Sequence, residues 1–270
     1  MDKIKTTHVG SLPRSKKLSE ILFKKDKNEL FDQGELDKII EEDVNKIVKK
    51  QIDIGIDIIS DGEMSKISYA TYVKDRLHGF SGESERRAPK DLDDFPSYKE
   101  KIAKSGGTPT YTRPCCTADL KIKDTKSLTK DISNLKSALK KNNHSQGFIN
   151  SASPGVISNF LPNKFYKNDD DYLEALSKMM KTEYDEITKN DLFLQIDCPD
   201  LALARHMTFK NVSDEEFLVR AEKQIECLNE AIKDIDASKL RMHICWGNYE
   251  GPHIHDIGLE KILPIALKAN

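Results

Sequence analysis

The sequence is short of several things, and each shortage narrows what the chain can be. No apolar run approaches the roughly 20 residues that a membrane-spanning helix needs, so no bilayer role is expected. Neither sign of charge dominates, with 43 Lys and Arg against 45 Asp and Glu. No long block of one sign occurs, which argues against a nucleic-acid partner or an anionic membrane surface. Cysteine is sparse and odd in number, five in 270 residues. That is no disulfide framework, and a cytoplasmic, reducing compartment is expected. The polar stretch Met1-Asp-Lys-Ile-Lys-Thr-Thr7 offers no signal-peptide core. No glycine-rich phosphate loop follows the first candidate strand either: Val9-Gly-Ser-Leu-Pro-Arg14 is neither a dinucleotide fingerprint nor a P-loop.

What is present reads as a globular α/β chain, 37 % hydrophobic and 33 % charged. Thr6 to Arg14 predicts a strand ending in a glycine turn, and Ser15 a cap for a helix over Lys16–Lys25. Leu36, Ile39, Ile40, Val44, Ile47, Val48 and Ile52 recur at helical spacing and predict a helix from Glu35 to Ile54. Ile56 to Met64 is a β-branched run turning at Gly62. Tyr69–Leu77 predicts a helix. Residues 82–112 read as a long insertion or lid. A third strand is expected around Cys115-Cys116, a helix over Leu128–Lys140, and a fourth strand from Gly147 to Pro154. A helix over Asp169–Lys189 follows, then a fifth strand from Leu192 to Asp197. Ser213 and Glu216 form a capping box for a helix to Ile235. Lys239 to Asn248 holds a sixth strand, and Ile257–Ala269 a last helix containing Pro264.

Strands alternating with helices predict a parallel sheet wrapped in helices. The polar residues Ser11, Glu63, Asp197, His243 and Cys245 fall where strands end, as expected of a (β/α)8 barrel, whose active site lies at the C-terminal strand ends. The chain is read as a single TIM-barrel domain over 1–270. A doubly wound sheet is the alternative. His243 and Cys245, two apart on a strand, leave the same face and are both zinc-ligand types. The same pair would also suit a buried thiol beside a hydrogen-bonded imidazole. Glu63 and Asp197 suit an ammonium group. They suit equally a carboxylate at a helix N-terminus and a turn former. Cys115, Cys116 and Cys227 lack partners at metal spacing and read as core thiols. His253 and His255 read as loop polar groups that could stand in for a missing ligand.

Four stretches together resemble the catalytic domain of cobalamin-independent methionine synthase and its short relatives. They are Thr7-His-Val-Gly-Ser-Leu-Pro-Arg14, Asp61-Gly-Glu63, Leu194-Gln-Ile-Asp-Cys-Pro-Asp200 and His243-Ile-Cys-Trp-Gly-Asn-Tyr-Glu-Gly-Pro-His253. The resemblance implies a zinc-dependent methyltransferase on a barrel, acting on a thiol, most simply homocysteine in methionine biosynthesis. It implies His243 and Cys245 as zinc ligands, and Ser11, Glu63 and Asp197 as the cradle of the amino acid. The methyl donor would be a methylfolate or a methylated corrinoid. In that family a Glu and a second Cys on the seventh and eighth strands complete the metal site. The chain reads as stopping after six units, with the last two strands missing. Alkyl transfer to another thiol such as coenzyme M, a uroporphyrinogen decarboxylase-like reaction, and an inactive fragment are the alternatives.

Overall fold

The computed structural model describes residues 4–104, 111–248 and 251–270. Helix α1 (Lys16–Asp26) starts at Ser15, whose hydroxyl accepts the Leu18 amide at 3.3 Å. Helix α2 (Gln33–Asp53) starts at Asp32 in the same way, through the Glu35 amide at 2.8 Å. These caps satisfy amides that lack an intrahelical partner. The chain then runs through β1 (Ile59–Ser60), β2 (Leu77–Ser81), the short helices α3 (Asp91–Asp94) and α4 (Pro96–Lys104), and β3 (Cys115–Ile122). After these come α5 (Lys126–Lys141), β4 (Gly147–Ala152), α6 (Pro154–Phe160), α7 (Asp169–Lys189) and β5 (Phe193–Asp197). The chain ends with α8 (Asp214–Ile232), β6 (Leu240–His243) and α9 (Leu259–Ala266). The capping box at Ser213 and Glu216 is formed.

Four strands make one parallel sheet in the order β1-β4-β5-β6. Thr7 adds a parallel bridge to Ile58 just before β1. One apolar cluster joins sheet and helices, with Leu36, Val44 and Val48 of α2, Leu135 of α5, Tyr184 of α7 and Phe217 of α8 all buried in it. The sheet curls. Arg241 on β6 crosses to the opposite side and donates to Thr7 Oγ1 at 3.1 Å, its guanidinium stacked 3.6 Å from the Phe148 ring centroid. The two ends of the sheet therefore come within one side chain of each other, as the wall of a barrel does. No helix among the described residues is long and apolar enough to cross a membrane.

The structure departs from the sequence reading at three places. Cys115–Ile122 is not a strand of the parallel sheet; it pairs antiparallel with β2 as a separate hairpin. Only Cys115, Cys116 and Leu120 of this strand are buried, whereas a strand covered on both faces needs a continuous apolar run. The parallel set thus occupies five positions, counting Thr7, and not six. Tyr69–Leu77 is not a helix but a 3-10 turn (Tyr72–Asp75) leading into β2. The hairpin and its flanking pairing take the backbone groups that a helix would use, including Lys123 N to Arg76 O at 2.7 Å. The predicted first strand at Thr6–Arg14 contributes only the Thr7 bridge. Of the insertion over 82–112, positions 105–110 lie outside the described residues; the rest carries α3 and α4.

Arg76 and Glu183 form an ion pair almost wholly removed from solvent, and Glu183 also accepts from Ser151 Oγ at 2.7 Å. Removing one partner leaves an uncompensated buried charge, which costs about 3–5 kcal/mol. Glu183→Ala should therefore lower unfolding free energy by about that amount in urea titrations, and the double change Arg76→Met/Glu183→Leu by clearly less.

Candidate active site

The site is built at the C-terminal ends of β1, β4, β5 and β6. After β1 the chain makes a tight turn in which Gly62 and Glu63 both have positive φ, 65° and 56°. A side chain at Gly62 would collide with Met64 and Leu12. Glu63 in this conformation is a strained residue, of the kind that persists where the surroundings over-determine it. Three side chains do so. Asp61 Oδ1 accepts the Glu63 amide at 2.9 Å, Ser60 Oγ accepts the Gly62 amide at 3.2 Å, and the Arg14 guanidinium donates to the carbonyls of Glu63 and Lys66 at 2.7 and 2.5 Å.

That turn aims the Glu63 carboxylate at Asn150. The Asn150 amide nitrogen donates to Glu63 Oε1 at 3.0 Å and to Asp197 Oδ2 at 2.7 Å. Its oxygen accepts from Lys66 Nζ at 3.1 Å, and Lys66 also donates to the Asn150 carbonyl at 2.6 Å. Gln195 donates to the other oxygen of Asp197 at 2.8 Å. Glu63, Lys66, Asn150, Gln195 and Asp197 are all buried. Register explains the convergence: Asn150 lies opposite Gln195, and Asp197 opposite His243. Side chains two apart share a face, so Asn150, Gln195, Asp197, Arg241 and His243 all project to one side of the sheet.

Burial dominates the electrostatics. It pushes Glu63 up to about 7 against the pull of Lys66, with Asp197 adding to the rise. Asp197 is also raised by burial, opposed by the hydrogen bonds from Asn150 and Gln195 and by nearby His243. Tyr69 is held well above its usual value by burial, then by the carboxylates of Asp197, Glu63 and Asp200. Asp200, just beyond β5, is pushed to about 7 by burial, and Ser153 donates to it at 2.7 Å. It opens onto a neighbouring cavity of about 480 Å³ whose wall includes Arg87, Arg113, Phe160 and Lys164.

Glu63 and Asp197 are thus joined through one amide, and His243 stands beside Asp197. Cys245 lies two residues beyond β6, half-buried, with its sulfur accepting the Gly247 amide at 3.2 Å. Ser11 is exposed. It is held near the turn through its neighbour, since the Leu12 amide donates to the Gly62 carbonyl at 3.0 Å. Among the described residues, no third His, Cys, Asp or Glu joins His243 and Cys245 in a group close enough to share an ion. His253 instead meets His206 and Asp256. Sequence reasoning missed Asn150, Lys66, Tyr69 and Asp200. A usable signal existed for Asn150, a polar residue inside the apolar strand Gly147–Ala152, where burial demands a partner.

The model of the cobalamin-independent synthase catalytic domain matches residues 4–259. The chain belongs to this family. It is 25 % identical to the methionine synthase of Sulfolobus acidocaldarius over 266 residues, which is 97 % of this chain and 68 % of that protein. It is 24 % identical to the methionine synthase of Saccharolobus solfataricus over 260 residues, 95 % of this chain and 68 % of that one. Two solved structures share the fold. A B12-independent methionine synthase from a Shewanella species, in complex with selenomethionine, superposes with TM-score 0.59 at 19 % identity, over 80 % of this chain and 54 % of that one. A putative vitamin-B12 independent methionine synthase from Listeria monocytogenes superposes with TM-score 0.61 at 20 % identity, over 92 % and 68 %. The chain spans about half the length of the Shewanella protein. The architecture is therefore of the TIM-barrel type that these relatives share, with the site at the strand ends where that fold carries its chemistry.

The raised carboxyls make a pH prediction. Folding favours protonated Glu63 and Asp200 where the unfolded chain has already ionised them. Their contribution to stability is complete below the ordinary values of 4.5 and 3.8 and is lost as pH rises through about 7. Urea midpoints measured from about pH 5 to about pH 8 should fall with pH for the wild type, and less steeply for Glu63→Gln and Asp200→Asn. Equal slopes in all three would mean that neither carboxyl is perturbed.

Proposed function

We propose that this chain carries the methyl-accepting site of a thiol methyltransferase, transferring a methyl group to homocysteine to give methionine. The observation that carries this reading is the buried pair of carboxylates, Glu63 and Asp197, bound to one Asn150 amide beside His243. Two carboxyls at one end of a barrel suit the ammonium group of an amino acid, which would add a second positive charge beside Lys66 to balance the pair. They disfavour a thiol carrying an anionic tail, such as coenzyme M, and a polycarboxylate for decarboxylation. In the reaction the S–CH3 bond forms as the donor–CH3 bond breaks; the thiol gives up its proton first, and the donor atom that loses the methyl group takes up one proton, so the exchange is proton-neutral overall. Holding the ammonium group fixes where the sulfur sits relative to the methyl carbon. The strained turn at Glu63, locked by Arg14, makes that position rigid. The neighbouring cavity is lined by Glu83, Glu85 and Asp200 as well as by Arg87, Arg113 and Lys164, so its charge is mixed, and a methylfolate is the donor put to the test below. The setting expected for such an enzyme is the cytoplasm.

The donor types of His243 and Cys245 fit zinc, and these two residues would hold it from this chain. Bound zinc would acidify the substrate thiol, because coordination stabilises the thiolate. Complete sites use about three or four protein ligands, so zinc held by these two alone would be weak.

Four measurements test the reading. Homocysteine methylation should be supported by methyltetrahydrofolate with zinc. Glu63→Gln and Asp197→Asn should each raise the KM for homocysteine, by about tenfold or more, since a hydrogen bond to a charged group contributes about 1.5–3 kcal/mol. A KM unchanged in both would remove the ammonium cradle. Cys245→Ser should lose the thiolate charge-transfer band of the cobalt-loaded protein while keeping its circular dichroism spectrum. Binding of an amino acid to the wild type should tighten as pH rises towards about 7, because Glu63 must ionise to hold an ammonium group.

A further inference from the structure

A second set of chemistry-bearing groups meets where three connections join. His206 follows the 3-10 turn Leu203–Arg205 after β5, Asp91 opens α3, and His253 and Asp256 lie between β6 and α9. The side chains of His206 and Asp91 are both 0 % exposed. His206 Nδ1 lies 2.8 Å from Asp256 Oδ1 and 3.2 Å from Asp91 Oδ2. His253 Nδ1 lies 3.1 Å from Asp256 Oδ2, and the two imidazole rings are 5.6 Å apart. One donor atom each from His206, His253 and Asp256 fall within 4.8 Å of one another, the only such trio among the described residues. The backbone holds the junction in place. Asp91 Oδ1 accepts the amides of Ile254 and His255 at 2.6 and 3.0 Å, and the Lys90 amide donates to the His206 carbonyl at 2.8 Å.

We propose that His206, His253 and Asp256, with the Asp91 carboxylate beside His206 as a nearby second negative charge, form a binding site for a divalent cation of the zinc class. Donors around zinc at about 2.0–2.2 Å stand a little over 3 Å apart. The histidine–carboxylate pairs already lie near that spacing, so a cation would take the place of the protons that now bridge them. Two imidazoles beside carboxylates select borderline ions such as zinc or cobalt over calcium or magnesium, which prefer all-oxygen shells. Charge also balances: two carboxylates offset the cation and both imidazoles stay neutral, which suits a buried histidine. The cation would tie together the insertion, the segment after β5 and the segment after Cys245. This inference is independent of methyl transfer and of any metal at His243 and Cys245.

Cobalt(II) separates the two places, because a thiolate ligand gives a near-ultraviolet charge-transfer band and an N/O site does not. The full chain as wild type, Cys245→Ser, Cys245→Ser/His253→Gln and Cys245→Ser/Asp256→Asn would be titrated with cobalt, and melted with and without zinc. His253 is partly exposed, so its replacement should leave the circular dichroism spectrum unchanged; Asp256→Asn gives an independent second variant. Cys245→Ser should bind about one cobalt per chain with d–d absorption and no thiolate band, and zinc should raise its Tm. Both double variants should bind at least about tenfold more weakly and lose the zinc-induced shift. Cobalt uptake that vanishes with Cys245 alone, or that is the same in Cys245→Ser and both double variants, would overturn the proposal and leave a hydrogen-bonded junction only.

Discussion

Two buried carboxylates sharing a single amide hydrogen-bond donor constrain the rest of this molecule. Glu63 and Asp197 repel each other when ionised, and burial raises the cost of both charges. Asn150 makes the pair tolerable by donating to both, and Lys66 holds the amide in that orientation from its other end. This works only if β4 lies between β1 and β5, so that Asn150 stands between the two acids. The observed order β1-β4-β5-β6 provides that placement.

The segment before α1 serves the same constraint. It leaves the sheet after the Thr7 bridge, so Arg14 is free to clamp the carbonyls of Glu63 and Lys66. The positive φ at Glu63 is affordable because Arg14, Asp61 and Ser60 hold the turn from both sides. On the opposite edge Arg241 reaches across the interior to Thr7. The curvature that brings strand ends together is the curvature that gathers carboxylates, imidazole and thiol at one end.

Much of this was legible beforehand because it is local. Helices α1, α2, α5, α7 and α8 follow from apolar spacing and capping residues such as Ser15 and Ser213. Asp197 and His243 could be placed at strand ends because apolar runs stop there. The hairpin of β2 and β3 was not legible. Its Cys115-Cys116 pair looks like core, and whether such a strand joins the main sheet depends on partners distant in sequence. Asn150, Lys66 and Tyr69 were missed for a related reason: each acts through a group tens of residues or more away.

The sequence by itself determined the alternation of strands and helices, the positions of the turns and the family resemblance, since periodicity, caps and short motifs act over a few residues. Tertiary structure alone decided that Cys115–Ile122 leaves the parallel sheet, that Asn150 bridges Glu63 and Asp197, and that His253 turns to His206 and Asp256 rather than joining His243 and Cys245. The physical reason is that a buried polar group must find its partner wherever folding brings one. For these residues the partners are between 47 and 87 positions away along the chain for Asn150, beyond the reach of any local pattern.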